Sequence, residues 1–169
     1  MKTKLMMCCL TVACYGAFAQ HDHHAQATAK QETATVKFKD AKLGIAYSKY
    51  IAVKDALVAS NTAEAKSKAL ELQKLLKDVS ESKAALEAVV LFTNAPDLAE
   101  QRLAFSTVSN EMATLVKGGK LSEGTLYLEY CPMANSNEGA YWLSNEKAIK
   151  NPYFGDKMLK CGSVKETIQ

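Results

Sequence analysis

Two short strings concentrate the chemically versatile side chains of this 169-residue chain. Cys131-Pro132-Met133 puts a thiol and a thioether two residues apart. In an extended chain those side chains project to the same side, and the proline stiffens the link. Met158-Leu159-Lys160-Cys161 pairs a thioether with a thiol again, and on a helix that three-residue spacing shares one face. If the two cysteines meet, four sulfurs surround one point. Soft thiolate and thioether ligands select Cu(I) or Ag(I) over hard cations, and the segment offers no carboxylate cluster for a hard one. Lys157 and Lys160 beside Cys161 predict a lowered thiol pKa. The other reading of the same cysteines is a disulfide. It would stabilise the fold by about 3–4 kcal/mol in the chain-entropy model, with Met133 and Met158 as plain packing. On the residues alone the disulfide comes first. The two states can also alternate, the disulfide being the oxidised, metal-free form.

A second candidate is His21-Asp22-His23-His24. Imidazoles with a free terminal amine bind Cu(II), Ni(II) or Zn(II). A terminal Gln20 tends to cyclise and lose that amine, so the string also reads as a polar tail with incidental histidines. All three histidines lie in residues 21–24. The body therefore has none for Ser-His-Asp, Cys-His or three-His zinc chemistry. Gly118-Gly119 falls short of a phosphate loop. No enzyme is expected.

The residues ahead of that tail are Met1 to Ala19. Lys2 and Lys4, a short apolar run from Leu5 to Tyr15, and Ala17-Phe18-Ala19 read as a secretory signal peptide. Thr11-Val12-Ala13 before Cys14 is an imperfect lipid box, so a lipoprotein anchored through Cys14 is the lesser alternative. No stretch approaches the ~18 apolar residues of a membrane span. Removal of 1–19 takes two of the 21 basic residues, leaving 19 against 18 acidic ones, a net charge of +1. Such a balance argues against nucleic-acid binding. Cys8, Cys9 and Cys14 leave as well. Cys131 and Cys161 remain, in an expected periplasmic setting that permits disulfides.

The elements that must position these sulfurs are mainly helical. Residues 20–39 lack an apolar period and read as a flexible tail. Residues 40–169 read as a single helical domain: a bundle over 40–119, then a Cys/Met/aromatic segment over 120–169. A first helix is predicted from about Asp40 to Ala59, with Leu43, Tyr47, Tyr50, Ile51, Leu57 and Val58 on or near one stripe. Asn61 and Glu64 form a capping-box variant ahead of a second helix to about Val79. A third is expected from about Glu81 to Phe92, with Ser80 as its cap. Asp97 and Glu100 open a fourth, which stops at Lys117-Gly118-Gly119. Short polar breaks between four such helices imply an antiparallel four-helix bundle. Lys54 and Arg102 read as surface or rim charges. Thr125 to Tyr130 alternates and reads as a strand, and Gly139 to Ser144 as another. Asn151-Pro152-Tyr153-Phe154-Gly155 reads as an aromatic-filled loop. The fold class is thus mainly α, with a small irregular α/β C-terminal segment carrying both cysteines.

The string Tyr130-Cys131-Pro132-Met133-Ala134, Gly139-Ala140-Tyr141-Trp142-Leu143-Ser144, Ile149, Asn151-Pro152-Tyr153-Phe154-Gly155, Met158-Leu159 and Cys161-Gly162 resembles a family of uncharacterised secreted domains of Gram-negative bacteria. The same domain type occurs at the end of some periplasmic adaptor subunits of copper/silver efflux pumps. Tyr50, Lys54 to Ser60, Arg102 and Phe105 share the resemblance, which covers about 40–168 and is poorest over 80–95. It implies periplasmic metal binding, copper foremost, with Cys131, Met133, Met158 and Cys161 as the matching sulfur positions. The expected function is a soft-metal binder that sequesters or relays metal beside an efflux adaptor. The alternative is a non-catalytic envelope interaction module with a structural Cys131–Cys161 disulfide.

Overall fold

The computed structural model describes residues 36–119 and 121–169. The expected signal peptide, Cys14 and the His21, His23 and His24 tail lie outside the described residues. The described chain is mainly helical, with a small β region at its C-terminal end.

Four helices follow one another: α1 (Ala41–Val58), α2 (Thr62–Leu76), α3 (Lys83–Asn94) and α4 (Leu98–Gly118). Their starts follow from side chains that satisfy free backbone N–H groups. Asp40 accepts from Lys42 N at 2.8 Å, Asn61 from Glu64 N at 3.0 Å, and Asp97 from Glu100 N at 3.0 Å. The Asn61 amide also reaches the Glu64 carboxylate at 3.1 Å, which closes the box. α3 begins later than expected. Ser82, not Ser80, stands before it, and its hydroxyl turns back to Val79 O at 2.8 Å. That bond helps tie off the end of α2 while Glu81 takes a left-handed φ of 58°.

α1 packs on α2, α2 on α3 and α3 on α4, while α4 also meets α1. Leu43, Tyr47, Tyr50, Val53, Lys54 and Leu57 form the buried stripe of α1. Its aromatic members begin a continuous path. Tyr47 lies on Tyr50 (centroids 6.0 Å), Tyr50 on Phe105 of α4 (5.5 Å), Phe105 on Tyr153 (5.9 Å), and Tyr153 on Trp142 (5.9 Å).

The C-terminal sheet has the order β4–β3–β5, with both pairings antiparallel. Its strands are β3 (Leu126–Cys131), β4 (Ala140–Ser144) and β5 (Ser163–Ile168). β3 and β4 agree with the alternation. β5 was not foreseen, because only Val164 and Ile168 of its six residues are half-buried and the rest face solvent. A two-stranded pair, β1 (Lys37–Phe38) with β2 (Leu121–Glu123), was also missed. The segment expected as tail over 20–39 therefore ends in a strand. Phe38 is buried against Tyr47, with ring centroids 5.3 Å apart. Two residues are too few to show a period.

Candidate metal centre

β3 ends at Cys131, which is wholly buried, and Cys161 stands half-buried at the end of a surface turn. Their Sγ atoms are 3.0 Å apart, and both are free thiols. That separation exceeds the ~2.05 Å of a disulfide bond.

The chain between 151 and 162 delivers Cys161 to this point. Cys161 N donates to Met158 O at 3.0 Å, closing a turn. Arg102 Nε of α4 donates to Pro152 O at 2.9 Å. Its Nη2 donates to Leu57 O at 3.1 Å and to Ser60 Oγ at 3.0 Å, at the end of α1. Tyr153 OH donates to Tyr141 O of β4 at 2.6 Å. Arg102 is thus a half-buried tie between two helices and the cysteine loop, a correction to its reading as a rim charge.

The thioethers stand differently from the spacing argument. The chain leaves extended geometry right after Cys131: Met133 has φ −91° and ψ −9°. It is 46% exposed and lines a surface groove with Leu103, Asn135, Ser136, Tyr153 and Phe154. Met158 has φ −148° and ψ 50°, so Met158 to Cys161 is a turn and not a helical face. Among the described residues no group of three or more His, Cys, Asp or Glu is arranged to hold a metal. The expected lowering of the Cys161 pKa by Lys157 and Lys160 is also overturned. The hydrogen bond shared with Cys131, followed by burial, pushes the Cys161 thiol up, and both lysines face solvent.

Behind the cysteine end of β3 lies a polar group that sequence reasoning missed. Glu129 and Trp142 sit directly opposite each other on β3 and β4, so their side chains share a face. Cys131, two residues on, projects from that face too. Glu129 and Trp142 are both wholly buried. Neither Glu129 oxygen has a hydrogen-bond partner among the described residues. Trp142 Nε1 is near enough to favour the charged carboxylate, yet outside hydrogen-bonding geometry. Burial pushes the Glu129 carboxyl up to about 8, against the pull of the Lys54 charge and with a further push from Glu146. Lys54 is only 3% exposed, its Nζ paired with Asp55 Oδ1 at 2.9 Å. Its expected rim position is therefore also corrected. The available signal was positional: Lys54 falls four residues after Tyr50 and seven after Tyr47, within the apolar stripe. Next to this group, Tyr50 OH accepts from Leu143 N at 2.9 Å and shares a 2.9 Å hydrogen bond with Ser109 Oγ. Tyr47 OH donates to Asn145 Oδ1 at 2.7 Å.

Residues 46–124 match the model of a family described as "Protein of unknown function (DUF3347)". The match supports an uncharacterised domain family for this stretch, which runs from α1 through β2 and ends before either cysteine. No curated protein and no solved structure matches the chain. Among the described residues no helix is long and apolar enough to cross a membrane.

Proposed function

We propose that this is a periplasmic binder of soft metal ions, Cu(I) foremost, which sequesters or relays metal in association with heavy-metal efflux. In this reading the helices form an antiparallel four-helix bundle that serves as scaffold, and the C-terminal segment holds the metal through Cys131 and Cys161. The observation that carries it is the pair of free thiols 3.0 Å apart, one fixed at a strand end and one on a surface turn. Thiolates are the donors Cu(I) prefers. Metal–sulfur bonds of about 2.3 Å span sulfurs up to about 4.6 Å apart, so two sulfurs 3.0 Å apart lie within reach of one bridging metal ion. In this reading Met133 and Met158 supply the thioether ligands. Met133, exposed beside its groove, is suited to accepting metal from outside. No catalytic role is assigned.

The same distance also favours a second reading, a non-catalytic envelope interaction module in which the two thiols are oxidised to a structural disulfide. A free-thiol count on protein taken directly from the periplasm separates the two, together with titration of the reduced protein by Cu(I) against a competing chelator. One Cu(I) per chain is expected, with binding lost in Cys131→Ser/Cys161→Ser. Met133→Leu/Met158→Leu should cost less than about 1.5 kcal/mol of stability and still weaken Cu(I) binding. A parent that competes for Cu(I) no better than the double Ser variant would overturn the metal reading. An unchanged affinity in the double Leu variant would reduce the site to the two thiols.

A further inference from the structure

Asn151 is wholly buried, and its hydrogen bonds all serve the loop that carries Cys161. Its backbone N donates to Leu159 O at 2.8 Å, and its carbonyl accepts from Gly155 N at 3.0 Å. Its side-chain Oδ1 accepts from Tyr153 N at 2.8 Å. Its Nδ2 donates to the carbonyl of Cys161 itself at 2.7 Å. One amide thus joins the beginning of the loop to the cysteine at its end. Directly after that cysteine, Gly162 has φ +144° and lies against β3 and β4. A Cβ there would stand 2.8 Å from Trp142 Cη2 and 3.0 Å from Tyr130 O. The backbone of Cys161 is therefore held on one side by the Asn151 amide and on the other by a glycine pressed onto the sheet that bears Cys131.

We infer that Asn151 is the positioning residue of the thiol pair: its Nδ2–H to Cys161 O bond sets the approach of Cys161 Sγ to Cys131 Sγ. It thereby governs how readily the pair closes on a metal or on itself. The metal half of this statement rests on the soft-metal reading above; the thiol half does not. The relevant chemistry is intramolecular, so its driving force depends on how well the two sulfurs are presented to each other. In the exchange with oxidised glutathione, the two protein thiols lose two electrons and two protons. A protein S–S bond forms, the glutathione S–S bond breaks, and two reduced glutathiones leave.

The test uses the exported chain and two variants at this position. Asn151→Asp keeps the volume and the acceptor for Tyr153 N but loses the donor to Cys161 O. Asn151→Ala loses both. Tyr50→Phe is the control, because it removes buried hydrogen bonds, to Ser109 Oγ and Leu143 N, that lie outside the loop carrying Cys161. Circular dichroism and thermal unfolding report folding. Two further readouts follow: the equilibrium of the thiol pair in glutathione buffers, and Cu(I) competition. Both Asn151 variants should lower the thiol–disulfide equilibrium constant at least tenfold while folded, and Cu(I) affinity should fall with it. Tyr50→Phe should lower the melting temperature yet leave both readouts within twofold of the parent. Folded Asn151 variants whose equilibrium stays within twofold of the parent would overturn the inference. An equal fall in Tyr50→Phe would do the same. Failure of both Asn151 variants to fold also counts against it, since the residue would then serve the fold and not the pair. A parent that ignores Cu(I) while the glutathione equilibrium shifts as stated would sink the metal reading and leave the positioning role standing.

Discussion

Replacing Glu129 with Gln should flatten the dependence of stability on pH. The carboxyl is wholly buried with no hydrogen-bond partner among the described residues, and its pKa rises from 4.5 to about 8. The groups that act on it come from three elements: Lys54 on α1, Trp142 on β4 and Glu146 just after β4. Below about pH 4.5 folded and unfolded chains both carry the proton, so the site contributes no pH dependence. Between about pH 4.5 and 8 the unfolded chain releases the proton and the folded chain keeps it. Stability then falls by about 1.4 kcal/mol per pH unit, on the order of 5 kcal/mol across the window. Above about pH 8 both forms are ionised and the loss levels off. The substituted amide keeps the shape of the carboxyl and never ionises. The variant should match the parent near pH 5 and exceed it near pH 8. Urea unfolding at half-unit pH steps measures this, with Trp142, the single tryptophan, as a buried fluorescence reporter. Lys54→Met supplies the opposite perturbation. With the nearby positive charge gone, the carboxyl holds its proton to higher pH and the decline should extend further into alkali. Parallel curves for the parent and Glu129→Gln from pH 5 to 8.5 would refute the argument, because Glu129 would then ionise in the fold as it does in the unfolded chain.

Tyr50→Phe should cost about 1–3 kcal/mol in the same unfolding assay, since Ser109 Oγ and Leu143 N both lose their buried partner. Gly139→Ala should lower the melting temperature through a strained backbone, about 1–3 kcal/mol. The residue has φ +82°, and a Cβ there would lie 2.0 Å from the Tyr130 hydroxyl oxygen.

The helices were legible because their signals are local. Asp40, Asn61 and Asp97 each cap the first turn they precede, and Gly118-Gly119 closes α4 as expected. The start of α3 was misplaced because Ser80 and Ser82 look alike in sequence, and only the return path to α2 chooses between them. β5 was illegible because an edge strand that buries two residues hardly alternates. At the candidate site, cysteine identity was plain from the residues, but the 3.0 Å meeting of Cys131 and Cys161 depends on the Asn151 loop and on β3. The thioether geometry was argued from ideal strand and helix periods, and the chain follows neither beyond Cys131 or before Cys161. Lys54 reads as a surface or rim charge when taken alone, and nothing in the local sequence singles out Glu129. Their burial follows from the sheet packing on α1, a relation between residues 75 positions apart that no local window contains.

The polar links between α1 and the sheet have a consequence for the order in which the chain acquires its form. Tyr47 meets Asn145 across 98 positions and Tyr50 meets Leu143 N across 93. Helices gain most of their contacts from neighbours in sequence and assemble early, whereas pairings this distant must wait for the intervening chain to be ordered. In vectorial synthesis the first helix emerges roughly a hundred residues before the strand that satisfies its tyrosine hydroxyls. Until β4 arrives, the Tyr47 and Tyr50 hydroxyls lack the partners that Asn145 and Leu143 supply in the finished fold. Docking of the cysteine segment is then the closing event. Arg102 ties that segment to the end of α1 and to α4, so the meeting of the two thiols reports on its docking.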